Sequence, residues 1–450
     1  MNRKLVLVNP VNPARVGLTV NKSSRFPPLG LGIIAGLTPD TWDVTLLDEI
    51  WEPFSYHQAD LVGITAFTAT APRAYEIARL YRSKGVPVVL GGIHASMCTN
   101  EASQFADCVV TGEAETAWPQ LIADFEAGSL KTHYSGNWGE LAGHPLPKRD
   151  LFNSGYMFAS VQTSRGCPMD CNFCSVTAFN GRRYRRRPSV EVLDELSSVS
   201  QKMIFFVDDN IIGYGEEARK GALELFKGMV ERKLDKWWFC QASLNFADDE
   251  EVLFWAGRAG CKMVFLGLES EDKDALAEVN KQLNLKRQVS AYADTFQRIH
   301  KAGIAVLGAF IFGMDSDTPS RLEVRARYMI NSDIDVMQVT HLTPLPGTRL
   351  FTRLQEEGRL IYTDFPADWS RYDMTQVVHR PENMSAVELA TGILRCNRRL
   401  YSWPVMLKKA CRTLITTRNP MATMFAFQSN VNYRNVGQGQ LNGQRQTITA

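Results

Sequence analysis

Along the chain, short apolar runs rich in β-branched residues alternate with longer stretches whose apolar positions recur every three or four residues. Within residues 1–130 the short runs are Leu5–Pro10, Asp43–Asp48, Leu61–Phe67, Val86–Gly92 and Cys108–Gly112, each predicting a strand. Pro72–Lys84 and Glu115–Glu126 carry the longer period and predict helices. This alternation predicts a Rossmann-like α/β unit: a parallel sheet covered on both faces, with ligands beyond the carboxyl ends of its strands. Residues 131–155 are polar, carry Pro145 and Pro147, and read as a linker.

Six βα repeats follow within residues 156–350. Their strands are Phe158–Thr163, Met203–Val207, Trp237–Ser243, Met263–Leu268, Ala305–Phe312 and Val336–Leu342. The helices between them are Val190–Ser200, Glu216–Arg232, Asp249–Ala259, Lys286–Ala302 and Ser320–Asn331. A closed barrel of this type has eight repeats, so six predict an open, TIM-like partial (β/α)6 barrel. Residues 351–435 are less periodic and mainly helical, ending in the basic, apolar stretch "WPVMLKKACRTLITTRNPMATMFAF". Residues 436–450, rich in Asn, Gln and Gly, predict a disordered tail.

Composition narrows the function classes. The net charge of +2 over 450 residues argues against bulk binding of nucleic acid. One local exception is "GRRYRRRP", with five arginines between Arg182 and Arg187. Such a run is either a solvated face or a contact for phosphate, carboxylate or lipid headgroups. The nine cysteines show no regular disulfide spacing, and the chain carries neither a signal-type apolar stretch nor a spanning segment. A reducing cytoplasm with free or metal-bound thiols is the expectation.

Three of those cysteines, Cys167, Cys171 and Cys174, stand in "TSRGCPMDCNFC", directly after the first barrel strand. Barrel chemistry takes place at that face. Thiolates select zinc or iron–sulfur clusters, and a structural zinc would need a fourth Cys or His at short spacing. Cys240 lies inside a predicted strand and Cys261 just before another, so both read as buried structural residues. A 4Fe–4S cluster with one iron free of protein ligands is the better account.

C-x3-C-x2-C on the first strand–helix loop of a partial barrel, framed by "SRGCPMDCNFC" and "PSVEVLDEL", resembles the radical S-adenosylmethionine (SAM) enzymes. The resemblance implies that Cys167, Cys171 and Cys174 hold the cluster while the amino and carboxylate groups of SAM chelate the fourth iron. It further implies SAM contacts at Phe173 and at the strand ends. Asp208, Asp209 and Asn210 would take the amino group, and Gln241, Ser243 and Glu269 the ribose and methionine polar groups. Gly308 and Gly313 would back the adenine, and Thr343 lies at the sixth strand end. The implied chemistry is reductive cleavage of SAM to a 5′-deoxyadenosyl radical that removes hydrogen from an unactivated carbon.

The front sheet resembles the cobalamin-binding domain joined to a large branch of this family. The resemblance implies cobalamin contacts at Thr65, Phe67, Thr68, Gly91, Gly92, His94, Ala95, Gly112 and Glu113. The D-x-H-x-x-G pattern that supplies a cobalt-binding histidine is absent, and the region reads "TVNKSSRFPPLG". Cobalamin held without a protein histidine, or a vestigial domain kept for substrate, are both open. Cobalamin-dependent C-methylation is the leading outcome. Cyclisation, rearrangement or hydroxylation of a lipid, tetrapyrrole or natural-product precursor is the alternative, and a non-catalytic iron–sulfur or zinc protein the remote one. A methylthiotransferase would carry a second cysteine triad in front, where only Cys98 and Cys108 stand. The implied partners are a small-molecule or lipid substrate and a one-electron reductant such as flavodoxin or ferredoxin, with no nucleic acid. The basic segment Trp403–Phe427 would either cover the open barrel or contact a membrane surface.

Overall fold

A computed structural model of the chain describes residues 2–13 and 22–448. Residues 19–21, which open the stretch standing in place of D-x-H-x-x-G, lie outside the described residues.

The front unit is a six-stranded sheet of β1 (Arg3–Asn9), β2 (Trp42–Asp48), β3 (Leu61–Thr65), β4 (Val88–Gly91), β5 (Cys108–Thr111) and β6 (His133–Ser135), in spatial order β2-β1-β3-β4-β5-β6. Every pairing is parallel. A parallel sheet is buried on both faces, which is why its strands read as continuous apolar runs. Val6 and Val8 enter the core on one side, Leu5 and Leu7 the core on the other. β6 falls inside the stretch read as a linker. It joins the sheet through Val109 opposite His133, with Tyr134 the one buried side chain of its three residues.

The second unit is the open barrel: β7 (Phe158–Val161), β8 (Met203–Phe206), β9 (Trp237–Ala242), β10 (Cys261–Glu269), β11 (Ala305–Phe312) and β12 (Val336–His341), in sequential spatial order. All five pairings are parallel. Outward-turned Phe206, Cys240, Val264 and Val306 meet the helical layer.

The inner face is apolar at its lower end and polar above. There Phe158, Phe205 and Phe239 gather around Phe26 from the front unit, with Phe26 4.4 Å from Phe205 and Phe205 stacked on Phe239 at 4.4 Å. The final helix, Pro420–Ile448, brings Ala422 and Ala426 against Met263, Leu307 and Val336, and Phe425 against Phe158. This helix runs through most of the residues expected to be a disordered tail. Lys286–Ala302, read as one helix, is two: Gln282–Arg287 and Tyr292–Lys301, separated at Gln288, whose φ is +62°.

The segment after the barrel folds back over the front unit. Trp369 stacks on Phe365 at 3.7 Å, meets the His94 ring edge-on, and donates Nε1–H to Glu101. Among the described residues no helix is long and apolar enough to cross a membrane.

Candidate active site

The cysteine loop leaves β7 through a short antiparallel pairing of Ser164–Arg165 with Arg185–Arg186. Gly166 then turns the chain with φ +84°, and a Cβ there would stand 2.1 Å from the Arg183 carbonyl, so the position requires glycine. The Gly166 N–H donates to Asp209. Farther on, Asn172 donates to the Glu278 carbonyl at 2.7 Å and Asn280 to the Asp170 carbonyl at 2.6 Å. Cys174 caps the helix Ser175–Asn180, and Phe173 packs with Leu342 and Leu350. All three thiols are free of disulfides. Among the described residues no three His, Cys, Asp or Glu side chains converge closely enough to hold a single metal ion.

Lys281 faces this loop, and nothing in the local sequence announces it. Its ammonium lies within electrostatic reach of all three thiols and donates to Glu269 at 2.6 Å. Burial alone would lower its pKa, but Glu269 and Cys171 hold it above the ordinary lysine range. Room for the pair comes from Gly267, where a Cβ would lie 2.6 Å from Glu269 Oε1 and 2.8 Å from Lys281 Nζ. Burial pushes the Cys171 thiol up to about 11, with Lys281 pulling the other way.

The expected SAM residues divide between the two faces of the barrel wall. Strand alternation places Asp209, Gln241 and Ser243 on the inner face with Phe205 and Phe239, and Glu269 joins them at a register shift between β10 and β11. Burial raises the Asp209 carboxyl to about 6. Asp208, one residue earlier, is turned into the wall and takes hydrogen bonds from the Thr163 N–H, the Thr163 hydroxyl and Ser164. It shapes the strand that launches the cysteine loop. Asn210 donates to Ser243 at 3.2 Å while its Oδ1 is buried without a partner. Gly308 faces outward, where a Cβ would strike Ile334 and Leu268 at 2.9 Å. Gly313, at φ +104°, packs under Leu389, and Thr343 is buried on the His341 carbonyl. The structure thus keeps Asp208, Gly308, Gly313 and Thr343 away from the inner face that holds Asp209, Gln241, Ser243 and Glu269.

The carboxyl edge of the front sheet meets the same mouth. The helix Ile93–Met97 packs on Ser175–Asn180, and a Cβ on Gly347, in the loop after β12, would lie 2.3 Å from Met97 Sδ. Thr65 and Gly91 end adjacent strands. Gly92 sits at φ +94° beneath the Ala66 carbonyl, and Gly112 at φ +73°. At Gly91 a side chain would meet only the Val110 carbonyl, at 3.9 Å, so its missing Cβ leaves open space over the edge. Phe67 is 64% exposed there, while Thr68 and Ala95 are buried. A cavity of about 440 Å³ lies alongside, lined by Ala69, Arg73, Tyr75, Asp364 and Ser370. His94 is fully buried and held by Glu101 at 3.2 Å, beneath Trp369.

Glu113 does not face open space. It binds Arg185 at 3.0 Å and lies 3.4 Å from Arg165. Glu115 pairs with Arg165, and His144 stands 2.6 Å from the same guanidinium. Burial would raise the Glu115 carboxyl, but His144 and Arg165 hold it well below the usual carboxylate range. The arginine run is largely consumed internally. Arg185 latches the front unit, Arg186 donates to the Ile211 carbonyl at 2.9 Å, and Arg187 forms a buried pair with Glu195 at 2.6 Å.

Three thiols on one loop facing a buried cation fit an iron–sulfur cluster. The inner-face carboxylates of Asp209 and Glu269, with Gln241 and Ser243, fit a polar cosubstrate beside it. The glycine-lined edge under exposed Phe67 fits a broad, flat group such as a corrin.

Comparisons with known proteins agree with this architecture. Residues 16–122 match the B12 binding domain and residues 161–329 the radical SAM superfamily. The chain is 29% identical over 431 residues to bacteriochlorophyllide d C-12(1)-methyltransferase of Chlorobaculum tepidum, covering 90% of this chain and 89% of that one. It is 30% identical to hopanoid C-2 methylase of Rhodopseudomonas palustris, over 75% of this chain and 66% of that one. Among solved structures it resembles the cobalamin-dependent S-adenosylmethionine radical enzyme OxsB, determined with aqua-cobalamin and S-adenosylmethionine bound. That match has a TM-score of 0.69 at 13% identity, over 99% of this chain and 81% of that one. The chain belongs to the radical SAM superfamily, in the branch that carries a B12 binding domain ahead of the barrel.

Proposed function

We propose that this protein is a cobalamin-dependent radical SAM methyltransferase that adds a methyl group to an unactivated carbon of a large, mostly apolar substrate. The observation that carries the reading is the packing of the front-sheet edge, at Ile93–Met97, onto the helix that begins at the third cysteine. A methyl carrier on that edge and a radical source on that loop would share one mouth. The names of the two relatives, a bacteriochlorophyllide methyltransferase and a hopanoid methylase, support a tetrapyrrole or polycyclic lipid as the substrate class.

When bound, the cluster and SAM supply homolytic hydrogen removal, and cobalamin supplies a transferable methyl group. Cys167, Cys171 and Cys174 would hold three irons. Lys281 would offset the negative charge of the thiolates, and Glu269 keeps that lysine in place. Asp209, Gln241 and Ser243 would line the region where the amino, carboxylate and ribose groups of SAM sit, with Asn210 behind them on Ser243. Thr65, Phe67, Gly91, Gly92 and Gly112 would carry the corrin, while His94 is committed to Glu101. The phenylalanines at the lower end give the barrel an apolar floor. A one-electron donor such as flavodoxin or ferredoxin would supply the two electrons of each turnover, and the basic C-terminal helices a contact with a membrane surface.

The test is anaerobic reconstitution with iron, sulfide and hydroxocobalamin, followed by turnover with a low-potential reductant, methyl-labelled SAM and candidate bacteriochlorophyllides or hopanoids. Methylation predicts 5′-deoxyadenosine and S-adenosylhomocysteine in equal amounts, with label on a product carbon. 5′-Deoxyadenosine formed with no labelled product would favour cyclisation or rearrangement instead.

A further inference from the structure

The helix Trp403–Thr417 is amphipathic in reverse. Its inward face is mostly polar: Lys409 donates to the carbonyls of Ser332 and Ile334, each at 2.8 Å, and Thr413 donates to Asp335 at 2.7 Å. Met406 and Thr417 complete the buried side. The outward face carries Trp403 (50% exposed), Leu407 (53%), Leu414 (46%) and Ile415 (74%). At about 100° and 1.5 Å per residue, these four form one stripe about 18 Å long on the side opposite Lys409. Met424, on the next helix, is also half exposed.

Charge along this part of the chain has one sign. From Leu389 to Ala450 the chain holds nine Lys and Arg and no Asp or Glu, leaving 41 cations against 48 carboxylates in the residues before it. Arg399 is paired with Glu323, Arg412 with Asp333, and Arg434 sits over the Trp403 ring at 5.1 Å. Arg395, Arg398, Lys408 and Arg418 are exposed, and among the described residues none makes an ion pair. Lys408 borders the stripe and Arg418 ends it.

We infer that the outward face of Trp403–Thr417 lies in the plane of an anionic lipid bilayer, with the apolar stripe at the acyl boundary and Lys408 and Arg418 on phosphates. A stripe of isolated apolar side chains with cations beside it is the pattern of an interfacial helix. The buried Lys409 and Thr413 anchors give it a rigid back. A second copy of the chain is the poorer occupant, because two faces with unpaired cations and no acids repel. This placement deepens the proposed membrane contact and does not depend on the proposed methylation.

The test is flotation of the full-length protein with phosphatidylcholine vesicles, with and without one third phosphatidylglycerol. Expected is co-flotation with the anionic vesicles alone, lost on raising salt, and weakened about tenfold in Leu407→Glu/Ile415→Glu. Leu407→Ser/Ile415→Ser serves as the milder pair should the first misfold, and circular dichroism checks both. Wild-type protein that fails to float, or variants that float as well as wild type, overturns the inference. So does a wild-type dimer in sedimentation velocity that either double variant dissociates, which would make the stripe an interface between copies.

Discussion

Arg165 of the cysteine loop and Glu115 of the front unit form an ion pair in which both side chains are mostly buried. The residue two positions before the first cysteine is thus fastened to the sheet whose edge faces it, and Glu113 adds a second hold through Arg185. Removing one partner of a buried pair leaves the other charge unpaired and costs about 3 kcal/mol. Glu115→Ala should therefore lower thermal stability and speed proteolytic cutting within residues 131–155. Unchanged melting and cutting would show the pair to be idle.

Lys281 and Glu269 form a second buried pair, beside the thiols. Lys281→Met should destabilise the apoprotein by about 3 kcal/mol in urea unfolding, and Lys281→Met/Glu269→Gln should recover most of that loss. The single variant should also retain fewer irons per chain after reconstitution. Additive losses in the double variant would mean that the two side chains do not act as a pair.

With Cys167, Cys171 and Cys174 all changed to Ala, the charge-transfer absorption of a thiolate-bound cluster should vanish after reconstitution. Cys240, Cys261 and Cys396 are buried in the barrel wall and helical layer and are not placed to substitute. Four irons per chain in the triple variant would overturn the assignment.

Burial depresses Lys409 to about 7, with Asp335 opposing the shift. An ordinary lysine titrates near 10.4 in the unfolded chain, so between these values the unfolded state binds a proton that the folded state lacks. Stability should therefore rise as pH increases from about 7 towards 10, with the penalty fully present below 7. Lys409→Met should flatten that rise, as read by urea midpoints across the window. An identical slope in the variant would place the titration elsewhere.

The strands were legible because buried parallel strands are continuous apolar runs, and the cysteine loop because three soft ligands in close spacing have few other uses. β6 was not: one buried tyrosine among three residues makes no pattern. Neither were the two faces of "VDDN". Asp208 and Asp209 look interchangeable in sequence, yet strand alternation turns the first into the wall and the second into the barrel. Lys281 was hidden for another reason. Its partners are the thiols and Glu269, brought together only when the loop after β10 folds back over the mouth. The arginine run announced a contact but not its partner, since Glu113 and Glu195 lie in separate elements.

Clustering Phe26, Phe158, Phe205, Phe239 and Phe425 at the lower end of the barrel gives it an aromatic floor and leaves its polar groups at the upper mouth, like a vessel with a neck. A ligand that uses this mouth passes the front unit on the way in and again on the way out. In such a vessel the deepest component would load first, and the product would leave before spent nucleoside is exchanged. Slow turnover in such a vessel would be a traffic problem at the neck rather than a chemical one below it.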